Sequence, residues 1–369
     1  MKINILQQDL LPHLQAVSRV SGVRATLPVL DNILLATDGS RLKLSATNLE
    51  IGVIEYVPAE VIDPGETTVP AKTLVEVVSG LKGHKIELES KQDVLNISSG
   101  KFKATINGIS SSEFPMIPQG EGEEISFKKS EISSVGQILF AAAVGEGRPQ
   151  LTGILTEVMG DSLNFVATDG FRLAHRTIKL DVKKDLPTGG FKSLIPKKTF
   201  EEVLRIIGEE DSDEIKISTS SNQNQIVFKI GSTVVSSRLI EGNFPTWEKI
   251  IPEIFVTRAV VDKEEIIKAV KLASVFVRTE GFITLKVSPE KIIIEASAKE
   301  LGTQQNEIDG QIEGEELLVG FNAKFLLDAL TNTPSTQLTM EFSGSLTPTA
   351  IKPIGVPGLQ FIVMPMRLN

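Results

Sequence analysis

Apolar positions fall into the same order three times along the chain, at intervals of roughly 120 to 135 residues. Each copy opens with helical spacing. In residues 9–18, Leu10, Leu11, Leu14 and Val17 share one stripe, with Asp9 as the expected N-cap and Pro12 in the first turn. Residues 130–139 repeat the pattern, Ser130 capping and Ile132, Val135, Ile138 and Leu139 facing inward. Residues 262–273 give the third copy, a capping-box start followed by Ile266, Ile267, Val270 and Ala273.

A β-hairpin follows each helix, turning at Asp38-Gly39, Gly160-Asp161 and Pro289-Glu290. The strand ends Ala46-Thr47-Asn48-Leu49-Glu50 and Ala167-Thr168-Asp169-Gly170-Phe171 are alike in sequence as well as in position. A second helix comes next: residues 69–78 and 195–204 match closely, and residues 320–330 form a looser third version. Alternating strands then cover 85–89, 94–97 and 102–106; 215–218, 226–230 and 234–239; and 338–342 and 350–354. Phe114-Pro115 and Phe244-Pro245 close the first two copies. The expectation is three α+β domains of one design, over residues 1–121, 125–252 and 254–369.

Composition narrows the chemistry. A chain of 369 residues, 41% apolar and 23% charged, is an ordinary globular sequence long enough for two or three domains. With no cysteine there are no disulfides, thiolate zinc sites or iron–sulfur clusters. His13, His84 and His175 are the only histidines, and none pairs at metal-ligand spacing. The longest apolar run, residues 138–144, is far short of the roughly 20 residues that span a bilayer. The first residues turn polar too early for a signal peptide, so the expected compartment is the cytoplasm. No phosphate-binding loop, Gly-x-Ser-x-Gly elbow or His-Glu-x-x-His motif occurs. His175 has no nucleophile beside it, and the acidic runs read as solvated loops. A non-catalytic protein is the expectation, with no cofactor and no metal.

Several segments together resemble a known family. They are residues 22–30 (Gly-Val-Arg-Ala-Thr-Leu-Pro-Val-Leu), 69–72 (Val-Pro-Ala-Lys), 167–174 (Ala-Thr-Asp-Gly-Phe-Arg-Leu-Ala), 241–245 (Glu-Gly-Asn-Phe-Pro) and 363–368 (Val-Met-Pro-Met-Arg-Leu). In order and spacing, from Met1 to Leu368, they are similar to the bacterial DNA sliding clamps, the beta subunits of the DNA polymerase III holoenzyme. The resemblance implies the DNA clamp fold, each domain packing two helices on antiparallel sheets. Two chains then join head to tail as a homodimer, and six such domains close a ring when each turns about 60°. It also implies a processivity factor that encircles double-stranded DNA without reading sequence. The expected partners are the replicative polymerase subunit, the clamp loader, and other polymerases and repair proteins, with no membrane; the expected location is the nucleoid.

The same resemblance assigns residues. Arg24, Lys72, Lys197, Lys198 and Arg148 are expected at DNA phosphates. Lys101, Lys103 and Ile106 are expected to meet Leu272, Val275, Phe276, Glu300 and Glu307 at the ring joint. Short partner peptides are expected in an apolar cleft formed by Leu151, Thr168, Gly170, Phe171, Arg172, Leu173, Pro245, Lys249, Ile250, Ile362, Met364, Pro365, Met366, Arg367 and Leu368. Two departures stand out: Phe171 occupies a position where the family commonly has histidine, and the loop before Arg148 lacks a polar contact residue.

Charge distribution bears on the DNA reading. The net charge is −9, yet six helix segments assigned to the inner wall (8–24, 71–85, 128–140, 196–206, 262–278 and 322–330) carry +6 between them and the remainder −15. Such segregation draws phosphate to the helices and repels it elsewhere. The competing readings are an enzyme with a cleft between α+β domains and an oligomeric scaffold that does not bind DNA.

Overall fold

The computed structural model describes residues 1–22, 27–120, 122–145, 147–181, 190–220, 224–277, 282–299 and 301–368. The first repeat runs β1 (Lys2–Leu6), α1 (Gln7–Ser18), β2 (Asn32–Asp38), β3 (Arg41–Thr47), β4 (Ile51–Pro58), β5 (Glu60–Asp63), β6 (Glu66–Pro70), α2 (Ala71–Gly80), β7 (Lys85–Lys91), β8 (Val94–Ser99) and β9 (Phe102–Asn107). The second runs β10 (Ile125–Lys128), α3 (Lys129–Ser133), β11 (Gly153–Met159), β12 (Ser162–Thr168), β13 (Arg172–Lys179), β14 (Phe191–Pro196), α4 (Lys197–Glu209), β15 (Glu214–Thr219), β16 (Gln225–Ile230) and β17 (Thr233–Arg238). The third runs β18 (Thr257–Asp262), α5 (Lys263–Phe276), β19 (Phe282–Val287), β20 (Lys291–Ala298), β21 (Gly302–Gly314), β22 (Leu317–Asn322), α6 (Ala323–Thr331), β23 (Gln337–Phe342), β24 (Thr349–Pro353) and β25 (Leu359–Val363).

Contacts group the chain into two compact units, Met1–Ser133 with Lys198–Leu239, and Ser134–Lys197 with Ile240–Asn369. In the first unit, one antiparallel sheet has the order β5-β1-β7-β8-β9 and another the order β10-β15-β16-β17-β4-β3-β2-β6. Leu10, Leu14 and Val17 of α1 and Leu74 and Val78 of α2 are fully buried. Each such side chain contributes about 2 kcal/mol, so this stripe fixes the helix faces.

The start of α1 departs from expectation. The helix begins at Gln7 with no side-chain cap, and Asp9 lies inside the first turn. β1 runs directly into the helix: the Gln7 N–H donates to the His84 carbonyl, just past α2, at 3.1 Å, while its side-chain amide donates to the Val78 carbonyl near the end of α2 at 3.2 Å. Farther along α1, His13 Nδ1 lies 3.0 Å from a carboxylate oxygen of Glu55, which is buried on β4.

The middle repeat's first helix is also shorter than expected. α3 ends at Ser133 and gives way to 3-10 turns over Ser134–Gln137 and Leu139–Ala141. The Ser133 hydroxyl donates to the Lys129 carbonyl at 2.7 Å, and Gly136 follows at once; both weaken the helical ladder. Ser130 is the second residue of α3 and not its cap.

The second unit holds one antiparallel array, β14-β11-β12-β13-β25-β24-β23-β18-β21-β20-β19-β22. Here the expected cap is present: Asp262 accepts from the N–H groups of Glu264 (2.9 Å) and Glu265 (3.0 Å) at the start of α5. α5 and α6 pack together through Ile266, Val270, Ala273, Leu326 and Leu330, all fully buried.

The sheets run across the repeat boundaries. In the first unit the last strand of repeat two joins repeat one, Ser236 of β17 lying opposite Gly52 of β4. In the second unit the last strand of repeat three joins repeat two, Ile362 of β25 lying opposite Leu173 of β13.

Candidate functional site

Most of the residues assigned to the cleft converge in the second unit on the loop between β12 and β13. Thr168 starts it: its hydroxyl donates to the Arg172 carbonyl at 2.6 Å and accepts the Gly170 N–H at 3.1 Å. Asp169 accepts the N–H groups of Phe171 (2.9 Å) and Arg172 (3.0 Å). The loop therefore closes on its own side chains. Gly170 has φ +92°, a backbone conformation that favours glycine. The loop leaves the Phe171 ring 62% exposed, stacked 6.0 Å from Phe325.

Arg172 is buried and fully engaged. Its Nε donates to Asp169 at 3.0 Å, Nη1 to Asp328 at 2.5 Å and Nη2 to the Phe140 carbonyl at 2.9 Å. The guanidinium also lies over the rings of Phe325 and Phe140. With every arm occupied, it acts as the rivet of the loop.

Beside the loop, Leu155, Val166, Leu173, Leu194, Trp247, Ala350 and Ile362 form one buried apolar cluster, with Phe244 and Ile250 packed against it. Trp247 lies 4.3 Å from the His175 ring, and its indole N–H has no acceptor among the described residues. Burial pushes the His175 imidazole down to about 4, so it is neutral near pH 7. Its Nε2 faces the Asn164 amide oxygen at 3.1 Å, and its Nδ1 faces the Gln360 amide nitrogen on β25 at 3.2 Å. From β13, His175 thus links β12 and β25.

The C-terminal segment follows β25. The Met364 N–H donates to the Phe171 carbonyl at 2.9 Å, and the Met366 N–H to the Gly320 carbonyl on β22 at 2.8 Å. A Cβ at Gly320 would lie 2.7 Å from the Leu368 side chain, so glycine there lets the tail approach closely. Met364 remains 37% exposed; Pro365 is half-buried and Arg367 exposed. Pro245 and Lys249 are exposed beside Trp247. Leu151 is buried in its own turn, where its carbonyl accepts the Ala143 N–H at 2.8 Å. The Trp247–His175 contact and the Arg172–Asp328 pair give no local sequence signal, since each joins distant segments.

Of the residues assigned to DNA, Arg24 lies outside the described residues. Lys72 and Lys198 are exposed in the first turns of α2 and α4, and Lys197 is half-buried at the start of α4. Neither first turn carries an acid. Lys324 occupies the same place in α6, whose first turn also carries no acid. A cation at a helix N-terminus opposes the helix dipole, so these lysines do not serve helix stability. Arg148 is exposed, and a Cβ at Gly170 would lie 3.3 Å from its Nη1, beside the cleft loop.

Of the joint residues, Lys101 and Lys103 are exposed, while Ile106 is buried beneath its own sheet. Leu272 and Val275 are exposed on α5, and half-buried Phe276 lines a groove of about 750 Å3 with Phe282, Ala296, Leu301 and Thr303. Glu307 is exposed and holds Lys291 at 2.7 Å. Glu300 lies outside the described residues. No group of three or more metal-ligating side chains occurs among the described residues, and no helix is long and apolar enough to cross a membrane.

Residues 1–118, 127–246 and 248–367 match in turn the N-terminal, central and C-terminal domains of the DNA polymerase III beta subunit. The Beta sliding clamp of Synechococcus elongatus is 31% identical over 100% of both chains, and that of Bacillus subtilis 28% identical over the same share. Among solved structures, the sliding clamp of Pseudomonas aeruginosa bound to griselimycin aligns over 100% of both chains with a TM-score of 0.93 at 29% identity. The Bacillus subtilis clamp structure gives a TM-score of 0.93 at 28% identity, again over 100% of both chains.

Proposed function

The chain belongs to the DNA polymerase III beta subunit family, and on that premise we propose how this sliding clamp encloses DNA and receives its partners. It is a processivity factor. Its contribution is topological: it keeps a polymerase on DNA by closing around the duplex, and it carries out no reaction of its own.

One observation carries the ring. Each internal junction joins the last strand of one repeat to the third hairpin strand of the repeat before it, β17 to β4 and β25 to β13. The corresponding strand of repeat three, β21, pairs only with β20 over residues 302–309 among the described residues. The last strand of repeat one, β9, ends its sheet. The third junction therefore lies between chains, β9 of one copy adding to β21 of the other, head to tail. Carrying the internal register across sets Ala104 opposite Gln304 of the partner subunit and Lys101 opposite Glu307 of the partner subunit. Three repeats in each of two chains then close a ring of six. The domains follow the repeats, over residues 1–121, 125–252 and 254–369.

Lys72, Lys197, Lys198 and Lys324 at helix N-termini supply phosphate contacts, with Arg24 as a further candidate. Contacts of this kind position DNA without reading bases, and the ring remains free to slide. Partner proteins dock short extended peptides in the cleft around Phe171, Trp247 and Met364; methionine suits a site that takes several sequences. Loading onto nicked circular DNA by an ATP-dependent clamp loader tests the whole reading. The ring should stay on the circle through gel filtration and leave once the circle is linearised. Equal retention on both forms would overturn it.

A further inference from the structure

The first unit contains a second copy of the cleft loop. Thr47 donates to the Ile51 carbonyl at 2.9 Å and accepts the Leu49 N–H at 3.0 Å, as Thr168 does with Arg172 and Gly170. Asn48 accepts the N–H groups of Glu50 (3.0 Å) and Ile51 (2.8 Å), as Asp169 does between β12 and β13 in the second unit. The strand that follows takes the last strand of the next repeat in both cases. The Arg238 N–H then bonds the Glu50 carbonyl at 3.0 Å, as Met364 bonds Phe171.

What differs is the surface this frame displays. Leu49 stands where the other loop has glycine, and its φ of +74° is strained for a leucine. Its side chain is nevertheless 45% exposed, so burial does not offset that strain. Beside it lie Met116, 95% exposed, and a groove of about 320 Å3 walled by Leu49, Met116, Gln225 and Arg238. Among the described residues no carboxylate pairs with the Arg238 guanidinium.

We propose that this groove is a second peptide site, taking an extended partner segment in which one carboxylate is flanked by aliphatic side chains. The aliphatic groups cover Leu49 and Met116, and the carboxylate pairs with Arg238. Glu50 at the loop apex turns away longer acidic runs. The inference rests on the reading of the Phe171 cleft as a peptide site, because the shared loop frame is the link between them.

The methionines make the test direct, because the chain has six of them, with Met116 in this groove and Met364 and Met366 at the other. The full-length protein carrying 13C-methyl methionine is titrated with N-acetyl-Leu-Asp-Leu-amide and followed by NMR. The Met116 methyl should shift and saturate. The Leu-Asn-Leu probe, or Arg238→Gln, should weaken that response about tenfold. Leu49→Gly relieves the strained φ, so it should fold normally yet abolish the Met116 shift. A Met116 signal that never moves, or moves equally with Leu-Asn-Leu, overturns the second site. A separate titration with a peptide carrying Gln followed by apolar residues reads the Phe171 cleft: silence of Met364 and Met366 towards that peptide, with Met116 saturating on Leu-Asp-Leu, would overturn the Phe171 cleft and leave this site standing.

Discussion

Lowering the pH from 7.5 to 5 should cost the second unit about 2 kcal/mol of stability through His175 alone. Burial holds the folded imidazole at about 4, against an ordinary value of 6.5. The unfolded chain therefore takes up its proton first as the pH falls. Stability is complete above pH 6.5, declines below it, and levels off under pH 4 after a total loss of about 3 kcal/mol. Burial is the cause, and the Gln360 amide nitrogen 3.2 Å from Nδ1 gives a protonated ring no acceptor there. The single tryptophan of the chain, Trp247, lies 4.3 Å away and reports the transition by fluorescence. Urea midpoints would be measured from pH 7.5 to 5 for the native chain and for His175→Gln, which cannot titrate. Carboxylates contribute equally to both, so the two curves should converge as the pH falls. Parallel curves, or an NMR midpoint for His175 near 6.5, would refute the reasoning.

Deleting residues 364–369 should leave the ring dimeric while abolishing binding of a peptide that carries Gln followed by two or three apolar residues, measured by fluorescence anisotropy. Undiminished affinity would remove the tail from the site. Lys101→Glu with Lys103→Glu should yield monomers by sedimentation, and adding Glu307→Lys should restore dimer by re-forming the pair with position 101; a stable dimer of the double variant would count against the joint. Neutralising Lys72, Lys197 and Lys198 together should lower the salt-dependence slope of DNA binding by roughly 0.9 for each lost phosphate contact. An unchanged slope would return these lysines to the solvent.

Local patterns were legible where the information is local. The stripe of Ile266, Val270 and Ala273 and the Asp262 cap determine α5 within a few residues of chain. The start of α1 is out of reach of local pattern because its first N–H is met by the His84 carbonyl, far along the sequence. α3 was over-extended because apolar spacing cannot weigh the Ser133 back-bond or Gly136. The Phe171 loop was visible only through resemblance, and its rivet was not: Arg172 reaches Asp328 across 156 positions. Lys324 was missed because the third copy of the helix start, Asn-Ala-Lys-Phe, lacks the proline of the other two.

The open edges of β9 and β21 have a consequence for the lone chain. Exposed sheet edges invite indiscriminate pairing and aggregation. Here they carry opposite signs, Lys103 on β9 with Lys101 just before it, and Glu307 and Asp309 along β21. Two β9 edges that met would bring lysine against lysine, and two β21 edges acid against acid. On the proposed joint only unlike edges attract, so these charges would favour the head-to-tail pairing that closes over pairing of like edges.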